Sequence, residues 1–362
     1  MGETAPTQKK TLMQDETLVD VDVHLDFYRH PEEVAKYMDA PYDEYLTDTK
    51  YSPMTIDGWN RTMGGKIQPS NIQSADQLHD ELCEQFNVDY GVLNTFAYLP
   101  NFPDIDVAQE VMRGSNDMLI DRFLDEYDEF KGMAGIDPRE PDKAAEEIDR
   151  LGDEKDIVGI YIENGAEQKP LGDPYYDQMY QAAEDNGLPV AYHSSAGSIF
   201  MQGYPIQHRG FRKFLEEHVV AHPFAMMATM CSLVVQGAPV KFPDLNFVIL
   251  EAGIEFLPTM MFRLNKEYSI RRIEAPLLEK SPEEHIRESF YVGTQPIGEP
   301  NDPEHMRKLI EIAGPEMILF ATDWPHWDFD DPEAVDKFLR NKFTEEERSA
   351  LMSGNAMEIY NL

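Results

Sequence analysis

Val19-Asp20-Val21-Asp22-Val23-His24-Leu25-Asp26 alternates apolar and ionisable residues without a break. Such a period of two marks a β-strand, and it places Asp20, Asp22, His24 and Asp26 on one face with Val19, Val21, Val23 and Leu25 on the other. Four ionisable groups on a strand that enters a core are costly unless something positive sits among them. A divalent cation would meet that need.

The same kind of run recurs along the chain. With the first at residues 17–24, β-rich runs are expected at 88–96, 130–137, 157–163, 188–193, 246–251, 290–294 and 317–323, eight in all. Amphipathic helical stretches at 105–127, 141–151, 174–186, 210–236, 254–272 and 303–313 separate most of them, and two more, at 331–340 and 344–353, follow the last. Asp-Pro or Ser-Pro pairs at 173–174, 281–282, 302–303 and 331–332 supply an N-cap with proline at the first helical position. Strands alternating with crossover helices predict an α/β fold, a closed (β/α)8 TIM barrel. No GxGxxG or GxxxxGK[ST] motif follows a strand, so an open nucleotide-binding sheet loses its main support. One barrel domain over 17–362 is expected, preceded by a flexible tail at 1–16. The segment at 27–82, long and rich in Tyr, Asp, Met, Gly and Pro, reads as an excursion beside one barrel mouth that shapes the substrate site.

Catalytic residues of such a barrel gather where the strands end. His193 closes Leu-Pro-Val-Ala-Tyr-His, Glu251 closes Phe-Val-Ile-Leu-Glu, and Asp323 closes Ile-Leu-Phe-Ala-Thr-Asp. A single strand-end histidine is ordinarily structural. Here ionisable residues recur at the ends of strands 1, 5, 6 and 8. Asp22, His24, His193 and Asp323 make a mixed nitrogen and oxygen set suited to zinc or manganese, with room for water or substrate. No oxygen-rich loop with calcium spacing is present.

These motifs resemble the amidohydrolase-related family that includes aminocarboxymuconate-semialdehyde decarboxylase, resorcylate decarboxylases and several lactone hydrolases. The likeness runs from Val-Asp-Val-Asp-Val-His to Asn355-Ala356 near the C-terminus. It implies a metal-dependent hydrolase or carboxy-lyase with Asp22 and His24 as the strand-1 ligands, His193 as the strand-5 ligand and Asp323 as the strand-8 aspartate. Two positions depart from the family. Asp22 stands where a histidine is frequent, and Glu251 stands where strand 6 often carries an acid/base histidine followed by glycines. His222, in Ala-His-Pro-Phe, either lends an imidazole to the site from a loop or bonds locally at a helix terminus. His326, between Trp324 and Trp327, is placed to line the pocket with Phe96 and Tyr98. His30, His79, His208, His218, His285 and His305 read as surface or structural.

Composition narrows the function classes. Acidic residues number 68 and basic residues 31, a net charge of −37, which repels nucleic acid. The acidic residues are spread along the chain, as on the solvated surface of a cytoplasmic halophilic protein, and the expected origin is a halophilic archaeon. Cys83 and Cys231 lie in apolar periodic stretches and read as buried thiols in a reducing compartment. No run of 18 apolar residues suggests a membrane partner, so a small-molecule substrate and a possible homodimer are expected. The leading expectation is hydrolysis of an ester, lactone or amide, with Asp323 taking a proton from an ion-activated water. The alternative is non-oxidative decarboxylation of a hydroxy-aromatic or enol acid, with Glu251 or His222 supplying the proton. A non-catalytic ligand-binding barrel and a glycosidase using Glu163 and Glu251 are weaker readings.

Overall fold

The computed structural model describes residues 16–25, 31–48, 74–95, 102, 104–165, 167, 169–194, 213–326 and 328–362. Its eight strands are β1 (Val19–Leu25), β2 (Tyr90–Thr95), β3 (Phe130–Gly135), β4 (Ile157–Asn164), β5 (Val190–Ser194), β6 (Phe247–Ile249), β7 (Phe290–Gly293) and β8 (Ile318–Leu319). They form one parallel sheet in sequence order. The seam between β8 and β1 is closed by backbone hydrogen bonds from Val21 N to Phe320 O (3.0 Å), Asp323 N to Asp22 O (3.1 Å) and His24 N to Trp324 O (2.8 Å). The expected (β/α)8 barrel is therefore the observed one.

The crossovers are α1 (Ala75–His79), α2 (Ile105–Leu119), α3 (Pro141–Leu151), α4 (Asp177–Asp185), α5 (Phe214–Val235), α6 (Phe256–Arg271), α7 (Pro282–Ser289) and α8 (Pro303–Ala313), and α9 (Pro332–Arg340) follows β8. The proline-led starts hold. Asp173, Ser281, Asp302 and Asp331 each accept a backbone N–H of the first turn they open, Ser281 within a full capping box with Glu284. The helix opened by Ser281, α7, was signalled by its cap but is too short at eight residues to show a clear period. The stretch at 105–127 ends as a helix at Leu119 and continues as a π turn over Ile120–Leu124.

Two cores result. Inside the barrel, Val19, Val21, Val92, Met133, Tyr161, Ala191, Val248, Leu250, Leu319 and Ala321 pack together, and Ala356, Ile359 and Tyr360 of the C-terminal helix Asn355–Tyr360 join them. Between strands and helices lies the larger cluster, which holds Val23 and Leu25.

This partition corrects the alternation expected in β1. The register against β2 shifts between Asp20 and Val23, so Val19 and Val21 face the lumen while Val23 and Leu25 face the helices. Asp20 does not join Asp22 and His24. Its carboxylate accepts Thr322 N (3.0 Å), Thr322 Oγ1 (2.5 Å) and Asp22 N (3.2 Å), and burial pushes its pKa to about 7 despite these bonds. Asp20 thus fastens the seam. Strand 8 is also shorter than expected, because Phe320 N is taken by Leu351 O (3.1 Å) and the chain turns at Asp323.

Of the excursion at 27–82, the described parts hold short helices at Pro31–Val34 and Tyr42–Asp48 as well as α1, and residues 27–30 and 49–73 lie outside the described residues. Residues 1–15 of the expected tail also lie outside, while Glu16 is fixed by ion pairs to Arg340 and Arg348. Helix α5 contains an apolar 18-residue window, His218–Val235, long enough to cross a membrane; 44% of that window is buried, and the helix packs on β5 and α6.

Past the end of β3, Arg139 is clamped by Asp137, with Nε 2.9 Å from Oδ1 and Nη2 2.6 Å from Oδ2, and its Nη1 donates to Phe102 O at 2.6 Å. Both side chains are almost fully buried. Asp137→Ala would leave an unpaired buried guanidinium and is expected to cost about 3–5 kcal/mol, read as a lower urea midpoint. A loss below about 1 kcal/mol, the scale of an exposed pair, would show that the clamp does not hold this mouth of the barrel.

Candidate metal centre

Asp22 and His24 leave the end of β1, His193 leaves β5, and Asp323 lies four residues past β8. All four side chains are buried. His24 Nε2 is 3.3 Å from Asp22 Oδ1 and 2.9 Å from Asp323 Oδ1, and His193 Nε2 is 3.8 Å from Asp22 Oδ2. One donor atom from each of the four lies within 4.8 Å of the others. Ligands on a tetrahedral ion with bonds of roughly 2.0–2.1 Å stand about 3.4 Å apart. The donors are therefore already spaced for a single small divalent ion.

Two further observations fit an ion here. Asp22 Oδ2 is buried with no hydrogen-bond partner among the described residues, while its Oδ1 accepts Asn94 Nδ2 at 2.6 Å. The field of the site also calls for positive charge. Burial and the neighbouring His326 act to lower the His24 pKa, but Asp22 and Asp323 outweigh them and raise it to about 10. Asp323 is held below the usual carboxylate range, its burial outweighed by His326 and by bonds from His24 and His326. The residues present fit one divalent metal ion as cofactor.

Glu251 sits beside this set. Its Oε2 lies 2.8 Å from His193 Nε2 and 3.1 Å from His222 Nδ1. Burial alone would raise its pKa, yet the charges of His222 and His193 and their hydrogen bonds bring it well below the ordinary value. Both Glu251 (φ 50°) and Asp323 (φ 64°) adopt left-handed backbone, which costs a non-glycine residue on the order of 1–3 kcal/mol. The strain falls on two carboxylates that turn a strand end into the mouth.

The expected residues mostly converge, with adjustments. His222 lies neither in a loop nor at a helix terminus but within α5, next to Glu251. His218, expected to be surface or structural, stands one turn earlier on α5 with Nε2 3.5 Å from Asp328 Oδ2. His326 Nδ1 is 2.6 Å from Asp323 Oδ1, and its ring lies 4.2 Å from that of His24. Trp324 packs into the core against Phe86 and Phe329. Asp26, His30, Phe96, Tyr98, His208 and Trp327 lie outside the described residues.

Sequence reasoning missed several supports. Asn94 at the end of β2 orients Asp22, and Gln295, two residues past β7, donates from Nε2 to Asp323 Oδ2 at 3.3 Å. Each is an uncharged polar residue close to the end of an apolar strand, a signal overlooked beside the charged ones. Tyr161 of β4 is fully buried with its ring 5.7 Å from His193, and burial among Glu163, Asp22, Glu251 and Asp323 keeps its phenol protonated.

Comparison with known proteins gives the chain its family. The chain is 26% identical over 272 residues to gamma-resorcylate decarboxylase of Rhizobium sp. (strain MTP-10005), covering 72% of this chain and 79% of that protein. Its fold is similar to 5-carboxyvanillate decarboxylase from Sphingomonas paucimobilis (TM-score 0.71, 21% identity, 96% and 99% of the two chains). It is also similar to a dihydroxybenzoic acid decarboxylase from Polaromonas sp. JS666 solved with bound manganese and 2-nitroresorcinol (TM-score 0.68, 18% identity, 96% and 97% covered). The family model described as Amidohydrolase matches residues 19–362, and with nearly its whole length matched the chain belongs to that family, as a metal-dependent enzyme of the amidohydrolase superfamily.

Proposed function

We propose that this protein is a metal-dependent, non-oxidative decarboxylase of a hydroxy-aromatic carboxylic acid. The relatives carry the choice: the named ones are carboxy-lyases, one at 26% identity over most of both chains, so decarboxylation has better support than the hydrolysis expected first. Asp22, His24, His193 and Asp323 would hold the ion, with manganese favoured over zinc by the manganese in the Polaromonas protein. When bound, the ion offsets the two carboxylates and holds the oxygens of an anionic substrate.

The reaction breaks the bond between ring carbon and carboxylate, releases carbon dioxide and delivers a proton to the ring carbon. Glu251 was one candidate for that proton, but His222 and His193 beside it favour its carboxylate form, His222 through a contact that loading of the centre leaves in place. The role passes to His222, whose Nδ1 is fixed by Glu251 Oε2. His193 Nε2 cannot serve an ion and Glu251 at once, so loading of the centre leaves Glu251 to His222. Asp323, held by His326 and Gln295, keeps its position as a ligand without becoming the donor.

Carbon dioxide release from 2,6-dihydroxybenzoate and 5-carboxyvanillate, measured beside a panel of esters and lactones, tests the reading. Release from at least one hydroxybenzoate, with no ester or lactone cleaved, is the expected result. Cleavage of a lactone or ester without carbon dioxide would return the protein to the hydrolases.

A further inference from the structure

His218 and His222 are four residues apart on α5, a spacing that sets two side chains on one helix face. Their ring centroids are 5.2 Å apart. Glu251 reaches them from the end of β6 and Asp328 from the segment after β8, with His222 Nδ1 to Glu251 Oε2 at 3.1 Å and His218 Nε2 to Asp328 Oδ2 at 3.5 Å. One donor atom each from His218, His222 and Glu251 lies within 4.8 Å of the others, and Glu251 and Asp328 meet at the same range in a second group that Asp323 completes. Both pair distances match the roughly 3.4 Å expected between ligands on a tetrahedral ion with bonds of about 2.0–2.1 Å. The four differ from the set of Asp22, His24, His193 and Asp323 but adjoin it, through Asp323 beside Asp328 and His193 beside Glu251. A pairing of one imidazole with one carboxylate would need only two of these residues. The four come from three separate elements, as the ligands of a cation site do.

We propose that His218, His222, Glu251 and Asp328 form a second divalent-cation site, beside the first and selective for zinc-class ions through its two imidazoles. It fills after the first, because the side chains of His218 and Asp328 are 20% and 16% exposed whereas those of the first set are buried. Occupancy has a consequence that rests on the decarboxylase reading. An ion there takes the His222 lone pair and the Glu251 carboxylate, and the proton donor is lost. Excess zinc therefore inhibits.

Zinc titration of the metal-free full chain by isothermal calorimetry tests the site. The wild type is expected to bind two equivalents, and His218→Ala and, separately, Asp328→Asn one, with the tighter equivalent retained as proof of an intact fold. Asp22→Asn is expected to weaken the tighter equivalent instead. A wild type that binds a single equivalent, or a second equivalent that survives in both His218→Ala and Asp328→Asn, overturns the site. Turnover followed through the same titration keeps the two claims apart. A second equivalent that binds as stated but leaves the rate unchanged overturns the inhibition and His222 as donor, while the site stands.

Discussion

Asp323→Asn is expected to lower kcat by about 10³-fold or more, since several kcal/mol of charge stabilisation are lost with the ligand and each 1.36 kcal/mol is about tenfold in rate. The size of the effect follows from how the carboxylate is used. Oδ1 lies 2.9 Å from His24 Nε2 and 2.6 Å from His326 Nδ1, and Oδ2 accepts Gln295 Nε2 at 3.3 Å. An amide nitrogen in place of either oxygen would face a neighbouring nitrogen and could not bind an ion. The backbone is expected to tolerate the change, because asparagine accepts the left-handed conformation that residue 323 adopts at φ 64°. The variant should therefore fold, show near-wild-type circular dichroism and lose metal and turnover together. A variant that keeps its rate would remove Asp323 from the mechanism.

His222→Gln should lower kcat by about 10²- to 10⁴-fold, the usual worth of a general acid, while leaving the manganese content and KM close to wild type. The contrast with Asp323→Asn separates proton delivery from metal binding. His222 touches Glu251 but is not a member of the set Asp22, His24, His193 and Asp323. A full rate in His222→Gln would move the donor to another imidazole, and His326, 2.6 Å from Asp323 Oδ1, is next in reach. Loss of manganese in this variant would instead make His222 part of the metal centre.

Much of the centre was legible because two rules act together. A period of two fixes which residues end a strand, and a parallel barrel carries all those ends to one mouth. Asp22, His24, His193, Glu251 and Asp323 could therefore be placed near one another without knowing a single contact. What was not legible depended on partners distant in sequence. The shift between Asp20 and Val23 arises from pairing with β2, and it removes Asp20 from the lumen although its local pattern equals that of Asp22. The facing of α5 was hidden for another reason. Its apolar residues occur on all sides, with Leu215, Val219 and Phe224 exposed while Met226, Met230 and Leu233 are buried, so the sequence shows no polar face from which to orient His218 and His222. Asn94 and Gln295 carry no charge, and only the order of neighbouring strands reveals that they hold Asp22 and Asp323.

The central claim is that one divalent ion binds where β1, β5 and β8 end. Anomalous diffraction at the manganese edge, from crystals of the full chain grown with one equivalent of manganese, tests it most directly. The expected map has one peak within roughly 2.0–2.3 Å of donor atoms from Asp22, His24, His193 and Asp323. A peak held by other residues, or no peak at these four in protein shown to contain manganese, would contradict it.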